Sequence, residues 1–397
     1  MNKSIIKLIN EETKRQAETI TLIASENYAW PEVLEALGSS LSNKYSEGYA
    51  GKRYYPGNEI IDQIETQTIS LAKKVFKVEH ANVQALSGGQ ANLIIYSALL
   101  KPGDKVLALR LDHGGHLSHG HSANISSKLY NFEYYQVNEK TGLLNMSAIR
   151  QQARDFKPKL IVAGYSAYSR DIDWKELKKI AKEVGAYLLA DISHTAGLIA
   201  GGQLNSPALH ADVIMTTTHK SLRGPRSAII MCRSSLAETI DKALFPGFQG
   251  GPHDNAIAGV GLCLEKVLKP AWVIYAKQVI KNAQAMAKEF EKLNYQIVSD
   301  GTDNHLFVID LTNKNITGKE AEIILAKNNI LVSRSTIPGD PRPPYNPSGI
   351  RLGTPAITTR GFKAKDAVAL ARLIDQALTG KNVKTAVKAL CQNFKIS

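Results

Sequence analysis

A chain of 397 residues, 44% hydrophobic and 21% charged, exceeds one compact core and has the balance of a globular protein of two or three domains. Its formal net charge of +13 is dispersed, with no run of five like charges and no RNP-like or zinc-finger pattern, so it reads first as a lysine-rich solvated surface, then as an attraction to an anionic ligand, with nucleic acid a weaker third reading. No apolar run approaches the roughly 18 residues of a membrane span, the N-terminus shows neither a signal-peptide h-region nor a lipidation box, and Cys232, Cys263 and Cys391 form no CxxC pair, which excludes a disulfide framework or zinc site and points to the cytoplasm.

In chain order, the first dense segment is Tyr45-Ser46-Glu47-Gly48-Tyr49-Ala50-Gly51-Lys52-Arg53-Tyr54-Tyr55. It reads either as interface packing or, with Glu47, as an acid/base set. Ser87-Gly88-Gly89-Gln90-Ala91-Asn92 then precedes the helical run Leu93, Ile94, Tyr96, Leu99. Small residues opening a helix let backbone N–H groups approach a phosphate, although a Gly-Gly pair also serves as a plain turn. Short, continuously apolar runs follow at Lys105–Leu111, Leu160–Gly164, Ala186–Asp191, Asp212–Thr218 and Ala228–Cys232. They predict strands buried on both faces, as in a mainly parallel sheet flanked by helices. Leu177, Ile180, Ala181 and Val184 make a helical stripe between two of them, with Gly185 as its stop. This alternation gives an α/β class.

The loop Asp112–His121 holds four histidines. No cysteine or carboxylate set completes a ligand pattern, so a stacking imidazole over a flat ring is preferred to a metal site. After about residue 265 the pattern changes. A helix is predicted over Val273–Leu293, a strand over His305–Leu311, and a helix from the capping box Thr317-Gly318-Lys319-Glu320. Residues 339–349 are rich in proline and predict a rigid loop leading to Arg351. The stripe Ala367, Leu370, Ala371, Ile374, Leu378 predicts a helix ended by Gly380, and Val383, Val387 and Leu390 fit a short amphipathic helix or a loosely held tail.

The chemistry concentrates on two strand ends. Asp191 closes one apolar run, and Lys220 lies just past another in Thr216-Thr217-Thr218-His219-Lys220-Ser221-Leu222-Arg223-Gly224-Pro225-Arg226. An acid at one strand end and a lysine beyond the next is what pyridoxal phosphate requires. The amine condenses with the aldehyde, and the carboxylate keeps the pyridine nitrogen protonated so that the ring can accept electrons.

Together with these residues, Leu22–Asn27, Asn43–Tyr55, His113–His119, Ser166–Tyr168, Asp191–His194, Phe245–Pro252, Gly301–Leu306 and Ser348–Arg360 make the chain resemble the serine hydroxymethyltransferase family from about Leu22 to Leu378. The resemblance implies a fold-type I pyridoxal phosphate transferase. Its expected parts are an N-terminal arm (1–40), a large cofactor-binding α/β domain (41–268) and a small C-terminal α+β domain (269–397). It implies that Lys220 captures the cofactor, Asp191 pairs with its ring nitrogen and His116 stacks on the ring. Ser166 and His194 are expected near the ring hydroxyl, and Ser87, Gly88, Gly89 and His219 are expected among the cofactor contacts. Arg351 is expected to clamp the amino-acid carboxylate with help from Ser25. Glu47 and Tyr55 are implied as proton-transfer and substrate groups and Thr217 as a further catalytic residue. Tyr45, Glu47, Tyr55 and Gly250 are expected to reach the site from a neighbouring subunit, which implies a homodimer or a tetramer. Leu111, Gly115, Leu117 and Ser335 are implied in folate binding. The implied reaction interconverts serine and glycine, with tetrahydrofolate as co-substrate taking the one-carbon unit.

The chain also departs from the family pattern. Gly89 stands where a second serine is usual in the phosphate loop, which predicts weaker cofactor retention. Ser333-Arg334-Ser335 replaces Asn-Lys-Asn, so Ser335 offers a hydroxyl in place of a planar carboxamide. Ser193 replaces alanine, Met215 replaces threonine, Ser227-Ala228 replaces Gly-Gly, and Pro56 replaces glycine. The changes at Gly89 and Ser335 support a second reading, a folate-independent aldolase for β-hydroxy amino acids. A non-catalytic paralogue that binds RNA or a partner is a third, opposed by the retention of Lys220, Asp191, His116 and Arg351.

Overall fold

Seven strands form the central sheet of the computed structural model, which describes residues 3–396. In chain order they are β1 (His80–Asn82), β2 (Lys105–Leu109), β3 (Asn131–Tyr135), β4 (Leu160–Gly164), β5 (Tyr187–Asp191), β6 (Val213–Thr217) and β7 (Ala228–Cys232). Their spatial order is β1-β7-β6-β5-β4-β2-β3. Strands β2 to β6 pair in parallel, whereas β7 runs against both β6 and β1. The reversal follows from chain length: residues 218–227 are too few for a crossover helix, so the chain must return antiparallel.

Both faces of the sheet are buried, which is why its strands carry no polar alternation. Along β4, Leu160 and Val162 enter one core while Ile161 and Ala163 enter the other. In β2 the same split separates Val106 and Ala108 from Leu107 and Leu109. The helix Trp174–Glu183 covers the second of these cores with Trp174, Leu177, Ile180 and Ala181. Asp173 caps it by accepting from the Glu176 N–H, and Gly185 follows with φ +70°.

The strand expected over Lys105–Leu111 stops at Leu109, because Leu111–His113 forms a single 3₁₀ turn closed by Gly114 at φ +103°. The edge strands β1 and β3 escaped the apolar-run criterion: β3 is partly exposed along its length.

The C-terminal part builds a second core on an antiparallel sheet of β8 (Gln296–Ile297), β9 (Leu306–Asp310), β10 (Ser333–Ser335) and β11 (Gly349–Gly353), in the order β8-β9-β11-β10. Helices Pro270–Lys292, Gly318–Lys327, Ala364–Leu378 and Lys384–Asn393 accompany it. The capping box at Thr317 is formed in both directions with Glu320. Of the two readings of the C-terminal stretch, the helix is the one observed, with Val387 and Cys391 buried. Ile20 and Leu22 from the N-terminal segment also enter this core, and Ile20–Thr21 pairs in parallel with Ile330–Leu331. The long helix Pro270–Lys292 serves both cores, with Trp272 in the sheet's and Phe290 in the second. No helix among the described residues is long and apolar enough to cross a membrane.

Candidate functional site

The carboxyl ends of parallel strands are where an open α/β sheet presents a crevice, above all where the strand order reverses. Here the chain leaves β2 for β3 on one side and returns through β4 on the other. The loops after β2 and β4 therefore diverge at that point. They are tied together by Gly114, whose carbonyl accepts from the N–H groups of Ser166 and Ala167. A cavity of about 470 Å³ opens above these ends. Ser25, Ser87, Gly88, Gly89, His116, Ser166, Asp191, His194, Thr217, His219, Lys220 and Arg351 all line it.

Asp191, the last residue of β5, is held by three donors. His119 Nε2–H and Asn92 Nδ2–H reach one carboxylate oxygen at 3.0 and 3.1 Å, and the Ser193 N–H reaches the other at 3.1 Å. Burial alone would raise its pKa. The hydrogen bonds from His119 and Ser193 outweigh burial and hold it well below the usual carboxylate range. It is therefore an ionised acceptor at the floor of the cavity.

Lys220 is buried, and burial lowers its amine to about 8, assisted by Arg351 and Arg226 and opposed by Asp191. Roughly a tenth of the amine is then free at pH 7, far more than for an ordinary lysine, and the free amine is the form that attacks an aldehyde. Its backbone is fixed by Asn27, whose side-chain amide donates to the Lys220 carbonyl at 3.1 Å. Three residues on, Arg223 holds the left-handed conformation (φ +64°) with its guanidinium 3.7 Å from the centre of the Trp30 ring.

His116 stands at the edge of the cavity. Its Nδ1 takes the Ser118 N–H at 3.2 Å and lies 2.8 Å from the Ser118 hydroxyl, which itself accepts from Asn92. The network assigns the ring proton to Nε2. Burial lowers the imidazole to about 4, so it is a neutral flat ring at physiological pH. His194 is buried, and burial first, then Lys220, push its pKa well down. Its Nδ1 meets His305 Nε2 at 3.2 Å.

Arg351 on β11 is a half-buried cation, lowered to about 10 by its partial removal from solvent. It donates to the Ser333 hydroxyl at 3.2 Å and the Ser166 carbonyl at 2.5 Å. Neither acceptor is charged, and no carboxylate among the described residues pairs with it. The remaining guanidinium donors suit an incoming carboxylate. At the opposite end, helix Gly88–Leu99 begins with the N–H groups of Gly88, Gly89 and Gln90 ahead of its first intrahelical bond, Ala91 N–H to the Ser87 carbonyl. A Cβ at Gly88 would lie 2.5 Å from Thr217 Cγ2, while one at Gly89 would meet nothing within 4 Å.

These features fit pyridoxal phosphate. An ionised carboxylate awaits a protonated ring nitrogen, a partly free amine awaits an aldehyde, and a helix N-terminus with Arg226 on the cavity wall awaits a phosphate.

A second cavity of about 530 Å³ adjoins the first and shares His116, His119, Ser166 and Arg351 with it. Leu111, Gly115 and Ser335 line it, as does Pro344 of the proline-rich loop. Asp340 latches that loop, accepting from the Ser348 N–H and hydroxyl at 2.9 and 2.7 Å. Leu117 does not line this cavity. It sits in the turn whose flanking His116 and His119 take the inward positions, and it is 48% exposed.

Tyr45, Glu47, Tyr55 and Gly250 do not line the first cavity of their own chain. They form a separate cluster in which Tyr45 and Tyr55 pack edge to face and the Tyr45 hydroxyl lies 3.4 Å from Glu47. A Cβ on Gly250 would lie 2.9 Å from the Glu47 carboxylate. Arg53 braces this segment through Asp62, Glu65 and the carbonyls of Ser46 and Gly48.

Sequence reasoning missed Asn92 and His119 as partners of Asp191, and Asn27 as the anchor of Lys220. The cluster of histidines was the available signal for His119; Asn92 and Asn27 had none beyond closing the segments Ser87–Asn92 and Leu22–Asn27. Among the described residues, no group of three or more His, Cys, Asp or Glu side chains is disposed to hold a metal ion.

A sequence model of the family described as serine hydroxymethyltransferase matches residues 1–374. Three similar relatives carry the same name. The one from Lactobacillus gasseri is 51% identical over 98% of this chain and 97% of its own length. Those from Legionella pneumophila and Desulfotalea psychrophila are 48% and 49% identical, over 99% and 98% of this chain and 96% and 93% of their own lengths. The chain belongs to the serine hydroxymethyltransferase family.

Proposed function

We propose that this family member interconverts serine and glycine, exchanging the hydroxymethyl carbon with tetrahydrofolate and using pyridoxal 5′-phosphate bound at Lys220. The observation that carries the reading is the convergence of Lys220, Asp191 and Arg351 on one cavity. When bound, the cofactor supplies a conjugated ring that accepts the electron pair of the cleaved Cα–Cβ bond.

The chain's own residues do the rest. Lys220 would hold the cofactor through its aldehyde carbon, and its lowered pKa makes the amine available. Asp191 keeps a proton on the ring nitrogen, because its carboxylate stays ionised at any physiological pH. Ser87 and the free N–H groups of the helix start take the phosphate. His116, neutral and planar on the cavity wall, would cover the face of the ring. Arg351 fixes the amino-acid carboxylate and thereby orients the bond to be broken, which is positioning of the kind that lowers a barrier without new chemistry. The second cavity meets the first at Arg351 and His116, where a one-carbon acceptor has to lie.

Glu47, Tyr45, Tyr55 and Gly250 we assign to the site of a neighbouring subunit in a homodimer, with a tetramer as a higher assembly. Their separation from their own chain's cavity supports this. We also read the three domains as 1–40, 41–268 and 269–397, of which residues 1, 2 and 397 lie outside the described structure. The compartment we infer is the cytoplasm, supported by three free, buried cysteines.

A folate-independent cleavage of β-hydroxy amino acids is favoured by one observation: the Ser335 hydroxyl donates to the Thr336 carbonyl at 3.1 Å, leaving only acceptor capacity toward the second cavity.

Mixing two inactive variants, Glu47→Gln and Lys220→Ala, tests the shared-site reading. Recovery of up to about a quarter of the activity on subunit exchange is expected if one protomer's Glu47 serves the other's Lys220; no recovery despite proven exchange would remove Glu47 from the partner's site.

A further inference from the structure

Ser193 occupies the turn just past Asp191 and is 5% exposed. All of its polar groups are spent on residues that flank the chemistry. Its N–H donates to Asp191 at 3.1 Å. Its hydroxyl accepts from the Thr217 N–H at 3.1 Å and lies 3.6 Å from the Met215 sulfur, the acceptor for the hydroxyl proton. Its carbonyl lies 3.5 Å from the Thr217 hydroxyl.

The geometry has a clear origin. The backbone ladder between β5 and β6 ends with the Ile192 N–H on the Met215 carbonyl at 2.9 Å. The next N–H of β6 facing that way, Thr217, has run out of backbone partners because the chain turns away after Asp191. The Ser193 side chain adds one more rung. Three residues later the same strand delivers Lys220. Two features set apart in the sequence, Ser193 and Met215, are thus one contact in space.

We propose that Ser193 is a positioning residue that sets the placement of Lys220 relative to Asp191, acting through the Thr217 amide. It bridges the two groups the reaction depends on: its backbone holds the carboxylate, and its hydroxyl fixes the end of the strand that carries the lysine. Met215 takes the hydroxyl proton, which leaves the oxygen lone pairs aimed at Thr217. The Asn27 bond to the Lys220 carbonyl fixes the other end of the segment 217–220, so the lysine is held between two anchors.

This inference rests on the cofactor reading above, and its test separates the two. Pyridoxal phosphate is added to the apo form of the wild type and of Ser193→Ala, and growth of visible absorption is followed together with amide exchange at Thr217. Wild-type protein that stays colourless would defeat the cofactor reading itself. With colour in the wild type, Ser193→Ala is expected to capture the aldehyde about 10-fold more slowly, the kinetic equivalent of one buried donor left unpaired, and to exchange the Thr217 amide about 10-fold faster. Ser193→Thr, which retains a hydroxyl, is expected to restore both. Where the alanine variant does not fold, Ser193→Cys keeps the size with a weaker acceptor and is read in the same way. Capture at the wild-type rate, or a loss of global stability without a change in capture, would overturn the proposal.

Discussion

Replacing Asp191 with asparagine removes one charge and almost no volume. The amide must still face His119 and Asn92 on one side and the Ser193 N–H on the other. His119 Nδ1 and Asn92 Oδ1 have no partner, so a change of tautomer at the one and a flip of the other accommodate the amide and the fold survives. What does not survive is the counter-charge for a protonated ring nitrogen in a buried site. Breaking a buried pair costs about 3–5 kcal/mol, or roughly 10²–10³·⁵ in rate. Serine turnover should fall by that factor while colour from the Lys220 conjugate is retained. Asp191 also raises the Lys220 pKa, so the variant's amine should titrate below the wild-type value of about 8. The stability consequence has a fixed sign. A carboxyl whose folded pKa lies below its unfolded value contributes stability that is present above the unfolded pKa and lost as pH falls toward the folded one. The apo wild type should therefore lose this stabilisation below about pH 4, and the variant should lack that component. A turnover loss under about 10-fold, with the variant folded and loaded, would refute the reasoning.

The rate of pyridoxal phosphate capture by the apo protein should rise about 10-fold per pH unit below 8 and level off above it, because only the free amine attacks; a midpoint near 10.5 would show an amine unaffected by burial. Gly89→Ser places a hydroxyl in open space beside the helix start and should tighten cofactor retention by about one to two decades, measured by loss on dialysis. By contrast Gly88→Ala should weaken retention or stability, since its Cβ meets Thr217 at 2.5 Å. Arg351→Lys forfeits the fixed donors to Ser333 and Ser166 and should raise the KM for serine by roughly 30-fold or more, the equivalent of about 2 kcal/mol, with a smaller change in the rate of cofactor capture.

The sequence made Asp191 and Lys220 legible because the first closes a continuously apolar run and the second lies just past another, and parallel strands present their carboxyl ends together. Arg351 was legible as the first charge after a proline-rich loop. The companions of Asp191 were not, because Asn92 and His119 lie 99 and 72 positions away and meet it only through the crossing of loops. The link between Ser193 and Met215 was hidden for a related reason: both departures were visible, but strand register alone brings them into contact. The reversal of β7 was implicit in the short segment that precedes it. The edge strands lacked the two-sided burial that betrays a central strand.

Serine consumption with and without tetrahydrofolate, scored by glycine formed and one-carbon units captured, bears most directly on the proposed reaction. Equal yields of glycine and 5,10-methylenetetrahydrofolate, dependent on added folate and abolished in Lys220→Ala, are predicted. Cleavage of serine at the same rate without folate, or turnover that persists in Lys220→Ala, would contradict it.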